Sequence, residues 1–136
     1  MHYVQIPAGV SADYQNQNGI IGMVYIPNSN SIACIDINRK LSYLQLDSLE
    51  ITRQIEAAYD GQLSSICLNE YRDEVAVGDD SGEIKIFGNY DGKLLHLDQM
   101  THACGITALA YSPDGSRLIS GDHNGTVILW KVCDSQ

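Results

Sequence analysis

Apolar and polar positions in this chain fall into short runs of about five to seven residues, separated by turn-forming residues. Near the C-terminal end, "ITALAYS" gives way to "PDG", and "SRLISG" runs to Asn124-Gly125 before "TVILWKV" follows. Within that last run Val127 and Leu129 alternate with Thr126, Ile128 and Trp130, as neighbours on opposite faces of a strand do. Proline and glycine in "PDG" suit a tight turn, and an Asn-Gly pair suits a two-residue hairpin. No segment sustains a 3.6-residue period, so the pattern predicts an all-β chain.

The pattern also recurs. Subtracting 43 from the numbering aligns "ITALAYSPDGSRLISGDHNGTVILW" with "LSSICLNEYRDEVAVGDDSGEIKIF", and then with "IIGMVYIPNSNSIACIDINRKLSYL", without a gap. Ile106, Leu109 and Leu118 fall on Leu63, Ile66 and Val75, then on Ile20, Met23 and Ile32. Asp122 falls on Asp79 and Asp36, whereas Gly121 and Gly125 fall on Gly78 and Gly82 and then on Ile35 and Arg39. With those glycines lost, the central turn of the first copy is expected to use different backbone angles. A further run follows in two copies, "LEITRQIE" in the first and "KLLHLD" in the second, so a full unit has four strands joined by hairpins. A period of this length is the signature of a stacked repeat architecture. The units are expected at about 20–56, 63–98 and 105–132, the last with three strands, and 2–6 ("HYVQI") is a further strand-like run.

The third copy resembles a WD40 repeat, the unit of one class of β-propeller. "SGDHNGTVILWK" carries that likeness through Ser120, Gly121, Thr126 and Trp130, with Asn124 where the family usually has Asp and Lys131 where the second residue of Trp-Asp belongs. The resemblance implies three antiparallel blades, as a partial propeller or half of an oligomeric ring. It also implies a hydrogen-bonded chain of His102, Ser120, Asn124 and Trp130, weakened because Asn124 replaces a carboxylate. The second copy has Tyr59 and Asp60 near the His position, Ser81 at the Asp position and Phe87 for Trp, so it is not expected to form that chain.

With strands lettered a to d from the ring axis outward, the last copy stops after strand c, and 2–6 would serve as an outer strand of the last or of a preceding blade. Rings of this kind use about four to eight blades. Three explanations stay open: the C-terminal part of a longer propeller, two copies joined head to tail in a six-bladed ring, or an open arc covered by a partner.

Eight Lys and Arg stand against 17 Asp and Glu, a formal net charge of −9, which argues against naked nucleic acid and anionic membrane as partners. No signal peptide or apolar span is seen, and the expected setting is intracellular and cytoplasmic, with nuclear or ciliary locations open. Cys34, Cys67, Cys104 and Cys133 lack C-x-x-C spacing. His102, Cys104, His123 and Cys133 match no recurrent zinc pattern, so no metal or cofactor is expected. Ser64, Ser65 and Ser120 lack a nucleophile elbow, and "GDDSGE" lacks the Lys-Ser or Lys-Thr of a phosphate loop. Asp79, Asp80 and Asp122 read as turn residues bonding nearby backbone. Asn124 begins a formal glycosylation sequon that is better read as a turn.

By resemblance, partners dock on the face built from d-to-a loops and b-to-c turns. Here that face would carry Arg39, Lys40, Tyr59, Asp60, Asp80, His102 and His123, mixed to acidic in charge, which suits a basic or polar peptide segment. The expected function is a non-enzymatic scaffold or adaptor in a multiprotein complex. The alternatives are a structural fragment of a larger propeller, such as a ciliary or ribosome-assembly component, or part of a propeller enzyme whose catalytic residues lie elsewhere.

Overall fold

The computed structural model describes residues 1–4, 19–58, 61–95 and 100–132. Among them the alternating runs form β1 (Ile20–Ile26), β2 (Ser31–Asp36), β3 (Lys40–Gln45), β4 (Ile51–Glu56), β5 (Leu63–Asn69), β6 (Glu74–Asp79), β7 (Glu83–Gly88), β8 (Met100–Thr101), β9 (Ile106–Tyr111), β10 (Arg117–Asp122) and β11 (Val127–Lys131). They make three antiparallel meanders, in the orders β1-β2-β3-β4, β5-β6-β7-β8 and β11-β10-β9. The helix described is one 3₁₀ turn, Pro27–Ser29, started by a proline whose missing N–H would have gone unbonded there, and ended by Asn30 at φ +51°. Among the described residues no helix is long and apolar enough to cross a membrane.

The sheets lean on one another with β5–β8 in the middle. In β6 every side chain is buried, because alternate residues serve opposite interfaces. Val75 and Val77 meet Ala33, Ile35, Leu41 and Tyr43 of the first sheet, while Ala76 joins Ile84, Ile86, Ile106 and Leu118 at the third. A sheet covered on both faces reads as continuous apolar sequence, as "VAV" does here. Gly78 is forced by this packing: a Cβ there would lie 2.6 Å from Ile106 Cγ2. Polar groups, half-buried at Ser64 and buried at Asn69, bridge the same interface. Ser64 Oγ donates to Ile106 O at 2.6 Å, and Asn69 Nδ2 to Gly115 O at 3.0 Å. Toward the first sheet, Arg53 Nη1 donates to Tyr90 O at 2.7 Å.

The b-to-c turns depart from the sequence expectation in two ways. Arg39 stands at φ +64°, in the same left-handed region as Gly82 at +97° and Gly125 at +85°, so the first copy keeps the turn rather than changing it. The cause is the aspartate shared by all three copies. Asp36 Oδ1 accepts from the N–H of Asn38 and Lys40, Asp79 Oδ1 from Ser81 and Glu83, and Asp122 Oδ1 from Asn124 and Thr126, all between 2.9 and 3.1 Å. Three bonded donors set the loop: two to the carboxylate, and the N–H of the left-handed residue to the aspartate's carbonyl. An arginine then tolerates a conformation that costs it about 1–2 kcal/mol. The Asn124-Gly125 turn is likewise not a two-residue hairpin. Only Gly125 of the pair has positive φ, and Asp122 N–H bonds Thr126 O across a three-residue loop.

The outer run of the second unit is seen as a bridge from Leu94 to Phe87 and as β8, whose Met100 and Thr101 pair with Ile84 and Glu83; residues 96–99 lie outside the described residues. Of the run at 2–6, residues 2–4 carry no strand and the remainder lies outside the described residues.

Candidate functional site

The densest polar constellation lies inside the third sheet. Ser120 and Asp122, two apart on β10, point to the same buried face, where Trp130 of β11 also turns its indole, paired across the ladder with Leu118. His102, just after β8, closes the set. Its Nδ1 lies 2.8 Å from Asp122 Oδ2 and its Nε2 2.5 Å from Ser120 Oγ, while Trp130 Nε1 donates to Ser120 Oγ at 2.8 Å. An ionised carboxylate only accepts, so His102 Nδ1–H donates to Asp122, and Trp130 N–H donates to Ser120. A neutral ring accepts the Ser120 O–H at Nε2. The His102 bond, joined by turn N–H groups on the other oxygen, holds the Asp122 carboxyl below the usual carboxylate range.

This corrects the expected role of Asn124. The carboxylate of the chain is Asp122, so the chain keeps its charge-assisted bond. Asn124 is exposed in the turn, and its backbone N–H is what binds, to Asp122 Oδ1. Strand parity carried the signal: Asp122 is two residues from Ser120, on the same face of β10, whereas Asn124 falls beyond the strand end.

A serine hydrogen-bonded to a histidine that is bonded to an aspartate has the connectivity of an acyl-transfer triad. Here Ser120 is 0% exposed and its oxygen already receives the indole N–H, so no substrate carbonyl can approach it. The arrangement braces β8, β10 and β11. Among the described residues no group of three or more His, Cys, Asp and Glu is placed to hold a metal ion. Burial raises the thiol of Cys34 to about 11 and that of Cys67 to about 12, with Asp36 adding to the first, so both stay protonated at neutral pH.

The b-to-c turns gather at one end of the three sheets. In each unit the residue after the capping aspartate donates its N–H to a carbonyl just before strand a: Ile37 to Gly19 O at 3.1 Å, Asp80 to Gln62 O at 2.8 Å and His123 to Gly105 O at 3.1 Å. Ile37, Asp80 and His123 are therefore equivalent, exposed and fixed. Asp80 and His123 flank Gly105, whose Cβ would lie 2.9 Å from Asp80 O and 3.1 Å from His123 Cδ2. Asp80 Oδ1 also accepts from Gln62 N–H at 2.8 Å. Arg39 and Lys40 are half-buried in the first turn, with Lys40 Nζ 3.5 Å from Glu56 Oε1.

Tyr59 and Asp60 lie outside the described residues. His102 does not belong on this surface: its side chain is 0% exposed, because both ring nitrogens are engaged inside the sheet. Sequence reasoning passed over Ile37, 56% exposed at the tip of the first turn; it aligns with Asp80 and His123 at the 43-residue spacing, which could have found it.

Residues 21–136 match the family model described as the IFT140 first beta-propeller. Cilia- and flagella-associated protein 52 of Mus musculus is 38% identical over 58 residues, 42% of this chain and 9% of that protein. Apoptotic protease-activating factor 1 of Homo sapiens is 42% identical over 65 residues, 43% of this chain and 5% of that protein. Striatin-3 of Mus musculus is 26% identical over 115 residues, 81% of this chain and 13% of that protein. The chain thus spans a small part of the relatives it matches. Among solved structures, one titled "Structure of U3-55K" superposes with a TM-score of 0.79 at 19% identity, covering 88% of this chain and 38% of that one, a likeness of fold alone.

Proposed function

Because the chain belongs to the WD40-repeat β-propeller family, through the IFT140 first beta-propeller matched by residues 21–136, we propose that it is a non-enzymatic scaffold that seats a protein segment on its b-to-c turn face. One observation carries this reading: three equivalent turns are locked by the same aspartate cap and the same N–H bond to strand a, so their tips form a rigid platform. A preformed surface loses little freedom on binding. Ile37 gives the platform an apolar anchor, while Asp80 and the net charge of −9 favour a basic or polar segment.

The test is affinity capture with the tagged chain, comparing wild type with Ile37→Asp and Asp80→Lys, and with Tyr71→Ala as a control in the a-to-b turn at the other end of its sheet. The two platform variants should lose partners that Tyr71→Ala retains. Capture that is the same for all four proteins would place the docking site elsewhere.

A second reading, a structural piece of a larger propeller, is favoured by the apolar residues on the outermost sheet faces, with Val127 69% and Met23 58% exposed. A ciliary setting is supported by the name of one relative, cilia- and flagella-associated protein 52.

A further inference from the structure

The third sheet sits on the second through a knob and a cradle. Ile106, 0% exposed, lies over Gly78, and Ser64 Oγ donates to the Ile106 carbonyl at 2.6 Å. Ala76, Ile84 and Ile86 surround the cradle, and Leu109, Tyr111 and Leu118 accompany the knob. The third sheet repeats the cradle 43 residues on, and there it is open. Among the described residues, a Cβ on Gly121 would meet nothing nearer than Thr107 Oγ1 at 4.0 Å. Thr107, the counterpart of Ser64, bonds Gly121 O at 3.3 Å, as Ser64 also bonds Gly78 O at 3.2 Å. Ile119, Val127 and Leu129 replace Ala76, Ile84 and Ile86, and are 39%, 69% and 57% exposed.

The opposite end of the chain carries a knob with no cradle. Ile20 occupies the position of Ile106, and Met23 and Tyr25 those of Leu109 and Tyr111; they are 39%, 58% and 49% exposed. β1 already places its other face, with Gly22 near Ile66, against the second sheet. The described residues thus present both halves of an interface that the chain already makes internally, at opposite ends and both uncovered by other described residues.

We propose that two copies of the chain associate head to tail, Ile20 of each entering the Gly121 cradle of the other, with Thr107 Oγ1 donating to the Ile20 carbonyl. The second copy is favoured over an unrelated partner because each copy supplies the complement of both exposed ends, so one association covers all four faces. Two such contacts related by a two-fold axis close a ring of six sheets, within the usual four to eight. The inference is independent of the peptide platform, whose turns lie at the ends of the sheets rather than on these faces.

Native mass spectrometry and light scattering of the 136-residue chain test it, with an expected mass twice the 14.9 kDa of one copy. Gly121→Leu has open space among the described residues of its own chain and no left-handed backbone to strain, so it should fold with an unchanged circular dichroism spectrum and run as a monomer. Ile20→Asp should do the same. Mixing the two variants should restore a weaker dimer, because one intact knob then meets one intact cradle. A wild-type monomer at every attainable concentration would overturn the proposal. So would a mass that grows without limit, or a dimer that survives both substitutions.

Discussion

Gly78 and Ile106 permit a quantitative test of how the sheets are held together. A methyl group on Gly78 would lie 2.6, 2.8 and 3.2 Å from Cγ2, Cβ and Cγ1 of Ile106, all closer than ordinary contact, and Ile106 is fully buried with nowhere to retreat. Overpacking of this kind costs about 1–3 kcal/mol, partly offset by the roughly 0.5–1 kcal/mol that alanine gains over glycine inside a strand. Ile106→Ala removes the knob and should cost about 2–5 kcal/mol through lost burial and the cavity it leaves. In the double variant the clashes with Cγ2 and Cγ1 disappear and the new methyl partly fills the space they vacated, while the retained Cβ at position 106, 2.8 Å away, has to shift slightly. The pair should therefore be less destabilised than the separate costs imply, by about 1–2 kcal/mol, within the range for residues in contact. Urea unfolding of the four proteins at one fixed concentration measures this, using midpoints and slopes together. Additive costs, within about 0.5 kcal/mol, would refute the contact.

Arg39→Asn should stabilise the chain by about 0.5–1 kcal/mol in the same assay, since asparagine enters the left-handed region more readily than arginine. Asn69→Ala should cost about 1–3 kcal/mol, because it strands the buried Gly115 carbonyl and the Arg72 N–H that bind its side-chain amide. Hydrogen bonds from the Ser116 backbone N–H, the Ser116 hydroxyl and then the Ser112 hydroxyl lower the Asp114 carboxyl to about 2. The fold thus favours its charged form, and the stability it adds is fully present above about pH 4 and lost as pH falls through about 2. Carbon-detected titration should place its midpoint well below that of a free aspartate, and Ser116→Ala should move it upward.

Much of the fold was legible because the information sits in spacing. Apolar residues recurring every 43 positions have to fill equivalent interfaces, and alternation within each run decides which face Val75 and Ala76 serve. The turns were harder to read because their conformation is set by side-chain caps rather than by the residues that bend. Asp36 holds Arg39 in a conformation that sequence rules reserve for glycine, and Asp122 makes Asn124-Gly125 into a three-residue loop. The polar network was half legible for a related reason. His102, Ser120 and Trp130 followed from resemblance, but choosing between Asp122 and Asn124 needed the parity of β10. The same network hides the His102 ring, which no local pattern at residue 102 could have indicated. Ile37 escaped notice because an isolated apolar residue in a turn has no periodic partner unless the three turns are overlaid.

The account rests on sheets that stack in repeat register, and a methyl-resolved nuclear Overhauser spectrum tests this most directly. It should show contacts from the Ile106 γ2 methyl to the Gly78 Hα protons, and none from Ile106 to the first sheet. Strong contacts from Ile106 to Ala33, Ile35 or Leu41, or none to the second sheet at all, would contradict it.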